Sequence, residues 1–317
     1  MVYLIDFIKR YRLTTFFILT FVFSWVFFFM YILFPNDISL MLVILAIYAP
    51  AFSALIISKI TGNKENSNNT RVKWITFIII WVIATITFII NYFIQVANFS
   101  LIILIAAILL GLLPSIVISS GFSQNPDIKI VFQSFVKAKG HFGLYLFAIL
   151  YLPVVLLIGV AITLVFGASI IWVDIPSGVE LFGLIILTLS YTFFFGAGTN
   201  EEPGWRGFAL PKLQLKFSPL ITSLILGFIW GLWHAPVYLP QYGSLFRFII
   251  FLLNTLKITI MLTWLYNRTR GSVLATALLH TIGNLSFEFI PTTLAAEIIQ
   301  IIIPVMLIFI DRMWKKN

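Results

Sequence analysis

Long apolar runs separated by short polar clusters fill this chain. A helix that crosses a bilayer needs about 20 mainly apolar residues. Ten segments approach that length: 13–34, 40–60, 74–94, 101–119, 144–166, 179–199, 220–239, 246–267, 272–287 and 294–310, the ninth being short. The pattern predicts an all-α fold, a polytopic transmembrane helix bundle of about ten spans.

The polar clusters between these runs carry an orientation. With the N-terminus placed inside, 18 of the 20 Lys and Arg fall on inner segments, from Lys9, Arg10 and Arg12 through Arg206, Lys212 and Lys216 to Arg312, Lys315 and Lys316. The two exceptions are Arg247, at an outer helix end, and Lys257, inside the eighth run. Basic residues favour the cytoplasmic side, so both termini are expected there. The opening MVYLIDFIKRYRL leads into a run longer than a signal peptide's and offers no small-residue cleavage site, which predicts an uncleaved first helix. The polar stretch 61–73, TGNKENSNNTRVK, reads as a mobile cytoplasmic turn.

Composition agrees with the pattern. The 317 residues are 61% hydrophobic and 10% charged, and the mean hydropathy is +1.07. A soluble domain is about 45–50% apolar and about 25% charged. The expected location is the cell (cytoplasmic) membrane, multi-pass, with the lipid bilayer as the first partner. The net charge of +9 resides in short loops, as bilayer orientation requires, and this argues against a nucleic-acid partner. There is no cysteine, so disulfides, thiolate zinc sites and thiol catalysis are excluded. A glycine-rich phosphate loop, a GxSxG elbow and the internal repeat of many transporters are also missing from the sequence.

Ionisable residues inside a membrane are costly, and each is a functional hypothesis. TNEEPGWRGFALPKL (199–213) places Glu201, Glu202 and Arg206 between apolar runs. Glu202 and Arg206, four apart, share a helix face and can pair, while Glu201 projects about 100° away. GFIWGLWHAPVYL holds His234, with Trp230 one turn before it and Ala235-Pro236 after it. ALLHTIGN puts His280 and Asn284 four apart, an imidazole and a carboxamide on one face. The third histidine, His141, lies beside Lys137 and Lys139 and reads as a solvated interfacial residue. Singly, each motif has an ordinary explanation as a cap, a salt bridge or packing polarity. Their occurrence on three neighbouring helices, in the order acid, His, His-x-x-x-Asn, points to one functional site.

EEPGWR, WGLWHAP and HTIGN resemble the three signature motifs of the CPBP family. That family comprises the CAAX prenyl endopeptidases and the Abi-type, bacteriocin-processing membrane proteases, including the lysostaphin-resistance group. Its pattern is Glu-Glu-x-x-x-Arg, then Phe-x-x-x-His, then His-x-x-x-Asn or a variant. Glu201, Glu202 and Arg206 fit the first motif, and His280 and Asn284 the third. His234 fits the second, with Trp230 where the family has Phe. The resemblance covers roughly 144–290, and divides the chain into N-terminal transmembrane helices of unassigned role (1–143) and a catalytic transmembrane region (144–317).

The resemblance implies an intramembrane endopeptidase acting on a peptide or a membrane-protein tail. Glu201 and His234 would activate water as general bases. His280 and Asn284 would stabilise the oxyanion, with Glu202, Arg206 and Trp230 in support. Glu201, His234 and His280 also make a three-ligand zinc set with an open position, so Zn(2+) is the candidate cofactor beside a metal-free glutamate mechanism. The Lys/Asn- and Ile/Phe-rich usage fits a low-GC bacterium, where bacteriocin leaders, quorum-sensing precursors or bacteriocin immunity are the expected contexts. Two other classes stay open: a non-catalytic immunity or sensor-partner membrane protein, and a proton-coupled transporter with Glu201, His234 and His280 as relay.

Depth poses a problem. Glu201 falls at the inner end of the sixth run, while His234 lies about fourteen residues along the seventh, roughly 21 Å deep. Either 200–219 dips back into the protein or the sixth run extends deeper. In both cases a cavity open to the cytoplasm and lined by Glu201, His234, His280 and Asn284 is expected.

Overall fold

The computed structural model describes residues 2–34, 39–62, 71–96, 100–172 and 176–316. The greater part of the 61–73 cluster, residues 63–70, lies outside them. Every regular element among the described residues is helical. Each of the ten apolar segments is occupied by helix. Six helices are long and apolar enough to cross a membrane, or eight if two bent pairs each count as one span. Val273–Phe289 and Leu294–Ile310, which occupy the last two segments, have 17 residues each. The chain is thus a multi-pass helical membrane protein.

The sixth segment departs from its expected boundary. Helix does not stop at 199 but runs on as a 37-residue stretch, Gly178–Gln214. Within it the winding loosens twice, to π-helix at Thr192–Gly196 and again at Pro203–Ala209, on either side of the short α-turn Gly198–Glu202. Pro203 has no N–H to donate back to the preceding turn, which favours a change of winding there. Such π segments occur frequently at functional sites. Arg206, expected in an inner loop, is therefore within a helix and fully buried.

Both bent pairs break at a proline. Ser39–Ile47 and Ala49–Thr61 meet at 45°, with Pro50 just past the bend. Pro219–Trp233 and Ala235–Tyr242 meet at 69°, with Pro236 in the first turn of the second helix. A proline ring clashes with the carbonyl four residues back and withholds a hydrogen bond, so the axis turns there.

Between helices in lipid there is little hydrophobic drive, and close van der Waals packing through small residues takes its place. Gly227 and Gly231, one turn apart, let Pro219–Trp233 lie against Leu245–Arg268. A Cβ on Gly231 would come within 2.6 Å of Thr255 Oγ1, and one on Gly227 within 3.0 Å of Thr259 Oγ1. Gly204 packs on the bend at Pro50, where a Cβ would stand 2.4 Å from the Pro50 carbonyl carbon.

The N-terminal helices share their core with the motif-bearing ones. Phe16, Phe28, Tyr48, Trp205, Phe208 and Trp233 belong to one buried cluster. Trp205 meets Phe16 edge-on at 5.5 Å and Trp233 at 5.8 Å. The helix Arg12–Leu33 grips the second bend twice. The Trp233 indole N–H donates to Ser24 Oγ at 2.6 Å, and the Trp25 indole N–H donates to the Trp233 carbonyl at 3.1 Å. The Tyr48 hydroxyl donates to the Phe194 carbonyl within the first π segment. Ser24, Trp25 and Tyr48 therefore tie the N-terminal helices to the bend at His234 and to the first π segment.

Candidate active site

Glu201, Glu202 and Arg206 lie where the sixth helix changes winding, deep in the bundle and with at most 3% of any of them exposed. The continuation of that helix resolves the mismatch of depth, because Glu201 is no longer at a helix end.

Arg206 Nη1 donates to Glu202 Oε1 at 2.9 Å, the pairing that the spacing predicts. Arg206 Nη2 reaches Thr259 Oγ1 at 3.4 Å, and the guanidinium lies 4.9 Å from the centroid of the Trp230 ring. Three helices thus enclose the cation. His280 Nδ1 is 2.9 Å from the same Glu202 oxygen. With its charge matched by Arg206, Glu202 is the acceptor, so Nδ1 carries the proton. Glu202 had been expected to support Glu201; in the structure it holds His280.

Glu201 is held by Trp230, whose indole N–H donates to Glu201 Oε2 at 2.6 Å. His234 sits at the 69° bend, and its Nδ1 is 2.8 Å from the Trp230 carbonyl. The backbone N–H of His234 turns instead to the Gly231 carbonyl, a shorter-range bond produced by the helix end. A carbonyl oxygen only accepts, so Nδ1 of His234 is protonated and Nε2 keeps its lone pair. The Trp230 ring also meets both imidazoles edge-on, at 5.4 Å for His234 and 5.3 Å for His280. Trp230 touches every charged or titratable member of the cluster except Glu202. Its signal in the sequence is the indole in place of the family's Phe. Thr259 had no sequence signal at all.

Glu201, Trp230, His234, His280 and Asn284 all line one cavity of about 510 Å³. His141 is exposed, just ahead of Phe142–Val165, and lines none of it. The residues brought together are those of the three motifs, separated by 29 positions from Glu201 to Trp230 and by 78 from Glu202 to His280.

Among the described residues, no three His, Cys, Asp or Glu side chains are placed to hold a metal ion together. Glu201, His234 and His280 line one cavity but are not gathered into such a group. One oxygen of Glu201 and one nitrogen of each imidazole are engaged by protein, and each imidazole packs on the Trp230 ring.

Fold and site define a helical membrane protein with a buried Glu/His cavity. Residues 182–286 match the model of the family described as type II CAAX prenyl endopeptidase Rce1-like. A stretch of 159 residues is 30% identical to the CAAX prenyl protease 2 of Methanococcus maripaludis, covering 48% of this chain and 58% of that protein. The chain thus aligns with little more than half the length of this curated relative. Both matches make the motif-bearing region similar to CAAX-type prenyl proteases. The family match is narrower than the 144–290 suggested by the motifs, but it includes all three of them.

Proposed function

We propose that this protein is an intramembrane endopeptidase of the cytoplasmic membrane that cleaves a peptide or membrane-protein tail through glutamate-activated water. The observation that carries this reading is the meeting of Glu201, His234, His280 and Asn284 on one cavity inside the bundle. Glu201 has one carboxylate oxygen fixed by Trp230, which leaves the other to receive a proton from water. The Nε2 lone pair of His234 accepts from the same water and orients it. Water oxygen then bonds to the peptide carbonyl carbon while Glu201 takes one proton.

The resulting oxyanion needs donors in a site that excludes bulk solvent. The Asn284 carboxamide is one. His280 is the other when its Nε2 carries a proton, Nδ1–H staying on Glu202. Collapse of the intermediate breaks the C–N bond, and the leaving amine receives the proton held on Glu201. In this reading no step passes through a metal ion.

The test is cleavage, followed by mass spectrometry, of peptides and membrane-protein tails by the purified protein in lipid. Glu201→Gln serves as the folded control, and a chelator arm accompanies each assay. Cleavage that requires Glu201 and survives chelation supports the reading. Full activity of Glu201→Gln refutes it, and the non-catalytic binding scaffold takes its place. Loss of activity on chelation, restored by zinc, refutes its metal-free part.

A further inference from the structure

The cavity has a second polar wall that the hydrolysis does not use. Lys257, the basic residue that sequence places inside an apolar run, projects from Leu245–Arg268 into this cavity, with Asn254 one turn before it. Facing them from Leu294–Ile310 are Glu297 and Gln300, three apart and on one helix face. Glu297 and Gln300 lie beyond residues 182–286, outside the family match. Lys257 and Gln300 also line a smaller cavity together with His280 and Asn284, so this wall adjoins the proposed oxyanion donors.

Two features point to a ligand. Lys257 Nζ donates to Glu297 Oε2 at 2.9 Å, and the two side chains are 11% and 35% exposed. An ammonium has three N–H donors, so this pair leaves Lys257 with capacity toward the cavity. Gln300 is only 3% exposed, yet its side-chain nitrogen has no hydrogen-bond partner. A buried donor left unsatisfied is costly, and this one borders a cavity. An ammonium and an amide N–H converging on one space suit a carboxylate. Glu297, the more exposed partner, then acts as a resident competitor that a ligand carboxylate can displace into solvent.

We infer that Lys257 and Gln300 form a carboxylate subsite of the cavity, with Glu297 as an exchangeable internal ligand. It rests on the peptidase reading only in that the cavity must admit a peptide. The bound group is a C-terminal carboxylate or an acidic side chain, and the test separates them.

Binding is measured on the Glu201→Gln protein, so that turnover plays no part. The probe is a fluorophore-tagged apolar hexapeptide in three forms: free C-terminus, C-terminal amide, and the amide carrying one internal glutamate. The free acid should bind tighter than the plain amide by about 10- to 100-fold, the range for hydrogen bonds to charged groups. If the internal-glutamate amide matches the free acid, side-chain carboxylates are accepted; if it matches the plain amide, only the terminus is read. Lys257→Met should erase the advantage of the acid, and Lys257→Arg should retain part of it. Glu297→Gln should act in the opposite direction, tightening acid binding by up to about fivefold, the scale of a partly exposed ion pair. If the ion pair is merely structural, both variants weaken all three peptides alike. Melting curves accompany every variant, and the double variant Lys257→Gln/Glu297→Gln replaces any single one that does not fold. Equal binding of acid and amide, or no binding of any form, overturns the subsite. Wild-type cleavage of acid and amide at equal rates also sinks it while keeping the peptidase. Selective binding of the acid without any cleavage keeps the subsite and sinks the peptidase.

Discussion

Glu202 shares one oxygen between the Arg206 guanidinium and the His280 imidazole and is fully buried. Glu201, one residue earlier, receives a single indole N–H and lines the cavity. The two carboxylates thus belong to different regions. One is a buried clasp of Glu202, Arg206 and Thr259 whose charges compensate each other, joined to the cavity through His280. The other is a cavity wall of Glu201, His234 and Asn284, where each polar group keeps an atom available. A paired buried charge stiffens its surroundings but has little left to offer a substrate. In the proposed mechanism the cavity-facing carboxylate carries the chemistry, and the clasp keeps it in place.

That contrast breaks most visibly at Glu201. Glu201→Gln preserves shape and an acceptor for Trp230 but removes the base, so turnover should fall to background, a loss of about 10²–10⁴ or more. Its melting temperature should stay near wild type. Arg206→Ala should do the reverse, lowering stability by roughly 3–5 kcal/mol because Glu202 is left buried without its partner. Folded yield in detergent and a thermal melt read this directly, and wild-type stability would show the clasp to be ornamental.

On the cavity side, Asn284→Ala should reduce turnover by about 10²–10³ with KM little changed, as for a lost oxyanion donor. A rise in KM at constant kcat would assign Asn284 to binding instead. Trp230→Phe sharpens the comparison further, since it keeps the ring and deletes the N–H on Glu201. Loss of one hydrogen bond to a charged group corresponds to about 10- to 100-fold in kcat. The smallest effect is expected at Ser24. Ser24→Ala removes the acceptor of the Trp233 indole and should cost about 1 kcal/mol of stability. Turnover should be unchanged if the N-terminal helix only braces the bend.

Much of this was legible in the chain. Hydrophobic run length located every long helix, because a bilayer imposes one length on whatever crosses it. Helical spacing paired Glu202 with Arg206 and put His280 beside Asn284, since residues four apart share a face whatever surrounds them. Proline at 50 and 236 marked places where helices bend, for a reason local to the ring. Tertiary structure decided the rest. The spacing left Glu201 about 100° from Glu202 on the helix, but only the packing of Trp230 and His280 from other helices determined which carboxylate meets the cavity and which meets His280. The sixth helix continues through EEPGWR because its charges find partners 29 to 78 residues away. A local reading of those charges ends the helix there. Three metal-ligating residue types in order likewise say nothing about whether their free atoms converge. Lys257 was visible as an anomaly, yet its partner Glu297 lies 40 residues on, in a helix brought beside it only by the fold.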